Sequence, residues 1–377
     1  MASSKRHLTG KAIEAAGFDL WLLAPVILLC GVGLIMVMSA SSVLAQVRYN
    51  DMYFLFKKQC LALGLGLVLM IGCRFIKTSL YSVMVYPILM VCLALLVLVL
   101  LPGVGATVGG GTSWLRLGRL SLQPSELAKL GLCIYLAYSM AKKQASMPTF
   151  SVGLLPHLII GGGMILLTLL QRDLGMAAIL ALLLVSILFL GGARFQQLLV
   201  LGVLVAAVGA ALVMMTPYRA QRIATFTDPW SDPAGSGFQI IHSFLAFGTG
   251  GLFGAGLGQS HQKLGFLPEP HTDFIFAILG EEAGFIGVLL VVSLFILIAY
   301  RGFYWSLQAP DLFQRYLAGG LSLTIVLQAL VNMAVVLGLM PTTGVTLPFV
   351  SYGGTSLVVN LIAAGILLRL SLEIKRG

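Results

Sequence analysis

Apolar stretches long enough to cross a bilayer recur along almost the whole chain and constrain its fold more than any other feature. From Leu20 onward they come in runs of roughly 20 residues, the length that spans a hydrocarbon core as an α-helix. Of the 377 residues, 59% are hydrophobic and only 10% charged, and the mean hydropathy is +1.00. A soluble domain of this size has too little interior to hide so much apolar surface. The sequence therefore predicts an all-α polytopic membrane protein, with residues 1–377 as one transmembrane domain. Ten spans are expected, at about 20–40, 55–73, 81–101, 124–141, 152–170, 175–191, 197–215, 274–300, 316–338 and 350–371. The basic opening MASSKRHLTGK, with small residues at Ser39–Ala45, has features of a signal peptide. The apolar run behind it exceeds the roughly 7–15 residues of such a segment, so an uncleaved first span is the better reading.

The formal net charge of +10 does not point to nucleic acid, because the basic residues form no patch with interleaved aromatics. They lie in short connections between spans, where the positive-inside rule and anionic headgroups account for them. With a cytoplasmic N-terminus, Arg74, Lys77, Lys142, Lys143, Arg194, Arg301, Arg315, Arg369, Lys375 and Arg376 all fall inside, and both termini are cytoplasmic. Outside lie 102–123, the turn 171–174, the long loop 216–273 and the segment 339–349. A loop as long as 216–273 usually carries function, so chemistry is expected on the outer face. The five cysteines sit in or beside apolar spans with no metal or disulfide spacing, and read as small core residues.

Residues 266–282, FLPEPHTDFIFAILGEE, place ionisable groups where a polar loop enters a long apolar helix. Such groups cost free energy at hydrocarbon depth unless paired, solvated or used. Asp273 serves there either as a helix N-cap or as a general base whose pKa is raised by desolvation. Glu269, between two prolines, is expected to be stiff and extended. Glu281 and Glu282, about two turns deeper, belong to a buried salt bridge or a proton path. Glu126 and Lys129, three apart in QPSELAK, suit a local ion pair. Arg219 and Arg222 either anchor headgroups or clamp a diphosphate. The run GTGGLFGAGLGQSHQK lacks the register of a nucleotide loop, and its glycines suit close packing or a re-entrant backbone. The turn QRDLG, with Arg172 and Asp173, and the irregular MPTTGVTLPFVSYGG at 340–354 are expected to line one groove.

These motifs resemble the SEDS family (shape, elongation, division and sporulation), which includes FtsW, RodA and SpoVE. The resemblance is carried in order by WLRLG with QPSELAK at 114–129, DLG at 173–175 and DPW with GFQ at 228–239. It continues through GAGLGQSHQK at 254–263, LPEPHTDFIFAILGEE at 267–282 and the run through SYGG at 351–354. It implies a ten-span fold and polymerisation of lipid II into glycan strands outside the cytoplasmic membrane, with polyprenyl-diphosphate-linked glycan as donor. Implied partners are a class B penicillin-binding protein acting as transpeptidase, other divisome proteins and membrane lipids. Asp273 matches the family's catalytic aspartate, here assigned as base for the acceptor hydroxyl. Arg219, Arg222 and Lys263 are the candidate diphosphate partners, alone or with a divalent cation. Glu269, His271, Trp114 and Ser351 complete the candidate substrate-binding set. Thr342, Thr346 and Gly280 lean toward the division branch, most like FtsW, which places the protein at the septum. RodA- or SpoVE-like polymerases and a lipid II flippase are the alternatives. Two positions depart from the family pattern: Arg172 stands where proline is frequent, and Ser113 precedes Trp114 where many members carry a basic residue.

Overall fold

The structure, a computed structural model, describes residues 19–376 apart from 109, 119, 215–225 and 236. Arg219 and Arg222 lie outside the described residues. Each predicted span contains a helix: α1 Leu20–Tyr49, α2 Phe54–Cys73, the short α3 Thr78–Val83, α4 Val85–Leu98, α5 Pro124–Lys142, α6 Leu155–Leu170 and α7 Leu174–Leu190. They continue with α8 Phe195–Met214, α9 Phe238–Gly250, α10 Ile275–Gln308, α11 Leu312–Val336 and α12 Gly354–Arg376. Among the described residues, six helices are long and apolar enough to cross a membrane, and α4 and α7 are shorter apolar helices.

Burial separates a centre from a periphery. The most apolar stretches of α11 and α12 are 72% buried, against 22% for α2. Helix α11 packs on α5, α7 and α10, while α12 packs on α2. The exposed apolar faces of α2 and α10 match a lipid-facing perimeter. The inner helices carry polar side chains that only a protein interior can satisfy, such as Gln328 and Asn332 on α11 and Asn360 on α12. At one end of the bundle, buried Asp19 caps α1 by accepting from the Trp21 amide and receives the Arg301 guanidinium at 2.7 Å, tying α1 to α10.

Two segments expected to be loops carry regular structure, and the first departs from the all-helical expectation. The 102–123 stretch folds as a three-stranded antiparallel sheet, β1 Gly105–Val108, β2 Gly111–Leu117 and β3 Leu120–Leu122, in the order β1-β2-β3. Its short, glycine-punctuated strands suit hairpins too brief to register against a background of apolar spans. The loop 216–273 contains α9, which buries Ile240, Ile241, Ser243 and Ala246 and packs on α10.

Helix α10 is broken near its N-terminal end at Gly284, where φ is +66°. The glycine-rich turn after α9 fills the break. Ala255 N–H donates to Glu281 O at 2.9 Å and Gly256 N–H to Glu282 O at 3.1 Å, while Phe285 N–H donates to Gly251 O at 2.9 Å. Backbone groups freed at membrane depth are thereby satisfied by protein rather than lipid. A Cβ at residue 284 would lie 2.3 Å from Gly254 N, so the junction requires glycine for space as well as conformation.

Candidate active site

Asp273 sits where the 267–273 segment enters α10, half-buried, with fully buried Phe274 behind it. The helix cap is Phe274, with no side-chain cap bond, so the N-cap alternative for Asp273 does not hold. The Thr272 hydroxyl donates to Asp273 Oδ1 at 3.0 Å. The backbone is fixed from the other side: Asn332 Nδ2, near the end of α11, donates to Asp273 O at 2.8 Å and to Val345 O at 2.7 Å. One amide thus holds the aspartate segment against the 340–353 segment.

The neighbouring residues shape this corner. Glu269 is not extended: its φ is +48°, and both the amide and the hydroxyl of Thr272 donate to its carbonyl, at 3.2 and 2.9 Å. The turn formed by Thr272 outweighs the extended preference before proline, at a strain of about 1–3 kcal/mol. The buried His271 places Nε2 3.5 Å from Glu269 Oε2, and its carbonyl accepts from Tyr352 N–H at 2.8 Å. Burial pushes the imidazole pKa down, and the Glu269 carboxylate partly opposes this. Ser351 turns its hydroxyl into its own loop, accepting from Leu347 N–H at 2.8 Å, while Gln59 Nε2 on α2 donates to Ser351 O at 3.0 Å. The structure therefore gives Ser351 a loop-shaping contact rather than a free substrate-facing hydroxyl.

The two irregular segments expected to share a groove are in contact. A Cβ at Gly175 would lie 2.3 Å from Thr343 O, so the turn 171–174 packs directly on the 340–353 segment. Asp173 caps α7 by accepting from Met176 N–H at 3.0 Å, and Gln123 Nε2 donates to it at 3.1 Å. Withdrawal from water raises its pKa against these donors. The sheet joins through Thr112 N–H, which donates to Gln171 O at 2.9 Å. Trp114, paired in register with Ala106, is half-buried on β2.

Two ion pairs lie beneath this surface. Glu126 and Lys129 are 2.6 Å apart and almost wholly buried, with the Lys129 ammonium also donating to Gln328 Oε1. Gln328 Nε2 donates in turn to Thr346 O at 3.0 Å, tying this pair to the 340–353 segment. Lys263, offered by the sequence as a diphosphate partner, is instead turned inward. Its ammonium lies 2.8 Å from Glu282 Oε1 and 2.8 Å from Ser39 Oγ, with the side chain 7% exposed. Glu281 accepts from His261 N–H at 2.9 Å and from Gln262 N–H at 3.3 Å, and the Ser260 hydroxyl also donates to it. These glutamates anchor the loop. Among the described residues no three His, Cys, Asp or Glu side chains assemble as a metal cage.

This architecture has close relatives. The profile of the FtsW/RodA/SpoVE family, described as cell cycle protein, matches residues 20–376. The chain belongs to the FtsW/RodA/SpoVE family. It is 43% identical over 360 residues to a probable peptidoglycan glycosyltransferase FtsW of Geobacter sp. (strain M18), covering 95% of this chain and 98% of the relative. It is 44% identical to Stage V sporulation protein E of Bacillus subtilis (strain 168), covering 94% and 96%. Among solved structures it resembles a chain of a peptidoglycan synthase complex that coordinates polymerization and crosslinking, with TM-score 0.78, 30% identity and coverage of 96% and 99%. The rod shape determining protein RodA of Thermus thermophilus matches with TM-score 0.69, 31% identity and coverage of 94% and 96%. Membership of the FtsW/RodA/SpoVE family and the helices long enough to span make the chain a multi-pass membrane protein.

Sequence reasoning missed the side chains that hold the corner together: Gln59, Gln123, Gln328 and Asn332. For Gln59, Gln328 and Asn332 the signal was present, since amides inside apolar spans are expensive unless they bond to neighbouring protein; Gln123, just before α5, carried no such signal.

Proposed function

We propose that this member of the FtsW/RodA/SpoVE family is a peptidoglycan glycosyltransferase that polymerises lipid II at the outer face of the bacterial cytoplasmic membrane, in septal wall synthesis. The observation that carries the reading is end-to-end similarity, at 43% identity, to proteins named probable peptidoglycan glycosyltransferase FtsW. The transmembrane part is one domain of ten spans with both termini in the cytoplasm and the loop 216–273 outside. Likeness to a chain from a complex that coordinates polymerization and crosslinking supports a class B penicillin-binding protein as partner, with other divisome proteins beyond it.

The chemistry requires a base for the acceptor sugar hydroxyl and positive charge for the departing diphosphate. Asp273 takes the hydroxyl proton as the oxygen attacks the anomeric carbon, inverting it and expelling the polyprenyl diphosphate. Its half-buried position gives the carboxylate access to substrate, while Asn332 fixes the backbone that carries it. Arg219 and Arg222 neutralise the diphosphate. Lys263 supports the loop through Glu282. Glu269, His271 and Trp114 border the sugar-binding surface.

Purified protein with its partner transpeptidase is expected to polymerise lipid II, and Asp273→Ala to abolish this with folding and partner binding intact. Full polymerisation by that variant would remove Asp273 from the reaction, whereas lipid II translocation without any polymerisation would support a flippase. The 44% identity to Stage V sporulation protein E supports a second reading, the same polymerase serving sporulation. Depletion that blocks sporulation and leaves division intact would select it.

A further inference from the structure

At the end of the bundle opposite Asp273, an open cleft of about 650 Å³ lies between the ends of α2, α3, α5, α11 and α12. Helix α5 sets the separation. Glu126 is in its first turn beneath the Asp273 corner, and Lys142, in its last turn, lines the cleft about 24 Å further along the axis. That rise is close to the thickness of the hydrocarbon core. The cleft therefore opens at the opposite membrane boundary and is independent of the glycosyltransfer reading.

Its charges are unevenly satisfied. Of the two carboxylates on its wall, Glu373 is ion-paired and exposed Asp311 is engaged as a helix cap. Glu373 receives the Arg369 guanidinium at 2.7 Å and the Thr78 N–H at 3.2 Å, and Gln314 Nε2 donates to it at 3.3 Å. Asp311 caps α11 by accepting from Gln314 N–H at 3.3 Å. The two lysines, Lys77 and Lys142, are exposed, and among the described residues neither makes an ion pair. Ser79 and Ser82 add hydroxyls to the same wall. Tyr138 and Phe313 also line the cleft, edge-to-face with centroids 6.4 Å apart, and Tyr86 packs on Tyr138 at 6.1 Å.

We propose that this cleft is a binding site for the headgroup of an anionic phospholipid. Lys77 and Lys142 hold the phosphate, the serine hydroxyls bond the headgroup, and the aromatic wall of Tyr138 and Phe313 packs against the glycerol and the first acyl carbons. Paired cations beside an aromatic wall at the membrane boundary suit a lipid that brings both a phosphate and a chain. A soluble phosphate uses only the first. The site joins helices that also build the Asp273 corner, so an occupied cleft braces α5, α11 and α12 from the far side.

The test is native mass spectrometry of the full chain titrated with phosphatidylglycerol, phosphatidylethanolamine or inorganic phosphate. Phosphatidylglycerol is expected to bind preferentially, and Lys77→Gln/Lys142→Gln to weaken it by about twenty-fivefold, roughly fivefold for each lysine. A control at the opposite end, Lys57→Gln/Lys58→Gln, is expected to bind as the parent does. Equal retention of phosphatidylglycerol by the cleft variant would overturn the site. Equal binding of phosphatidylethanolamine would overturn the anionic assignment, and inorganic phosphate competing at the lipid's own affinity would reduce the cleft to a general anion site.

Discussion

Asp273 and the Glu281–Glu282 pair belong to the same membrane-entering segment, yet the fold treats them in opposite ways. Both glutamates are sealed: Glu281 is 0% and Glu282 1% exposed, met by the Lys263 ammonium, serine hydroxyls and loop amides. Asp273 is half-buried, with its backbone clamped by Asn332 and its carboxylate bonded by the Thr272 hydroxyl. A buried carboxylate paired with an ammonium or held by loop amides is a structural part. One that keeps an open side while its main chain is clamped can meet a substrate. The acidic residues of this segment thus divide into two buried anchors and one half-buried carboxylate, the proposed base, a distinction that residue type alone does not supply.

The largest expected effect breaks that comparison at the reacting end. Asp273→Asn should lower lipid II polymerisation by about 10²–10⁴-fold, the contribution of a positioned base. At the anchor end, Lys263→Met leaves Glu282 buried without its cation and should destabilise the protein by about 3–5 kcal/mol in thermal or denaturant unfolding. Adding Glu282→Gln to Lys263→Met should restore most of that loss; no recovery would mean that the two do not act as a pair. Gly284→Ala, which forces a Cβ into the loop that fills the break in α10, should cost about 1–3 kcal/mol.

The smallest effect concerns pH. The folded state holds the His271 pKa below its unfolded value, so the neutral ring is favoured and the folded protein resists protonation. Stability from this group is present above the unfolded pKa and is lost as pH falls through the folded one. Acidification from about pH 7 to about pH 5 should destabilise the parent more than His271→Gln. Equal losses in the two would assign the acid sensitivity elsewhere. Asp173 runs the other way, since its raised pKa favours the folded state at acid pH and loses that contribution as pH rises.

Much of this was legible in the sequence, because membrane physics leaves few options. Uninterrupted apolar runs became helices near their expected bounds, since hydrocarbon offers no other partner to the backbone. The place of Asp273, where a polar loop enters an apolar helix, was legible from charge at a boundary. The strands at 105–122 were not, because brief polar strands depend on pairing rather than composition. Helix α9 was obscured by its length, too short for a span, and by its place inside a long loop. The inward turn of Lys263 was also hidden, since its partner Glu282 and its neighbour Ser39 meet it only in the folded bundle. Residue type suggested a cation for phosphate; burial made it a cation for carboxylate.

The most direct test measures lipid II polymerisation and thermal unfolding on the same preparations of the parent, Asp273→Asn and Lys263→Met, each with the partner transpeptidase. The account predicts that Asp273→Asn loses polymerisation with an unchanged melting temperature, whereas Lys263→Met shows a clearly lowered melting temperature. Polymerisation retained by Asp273→Asn, or lost only in step with its fold, would contradict the assignment of Asp273 as the base.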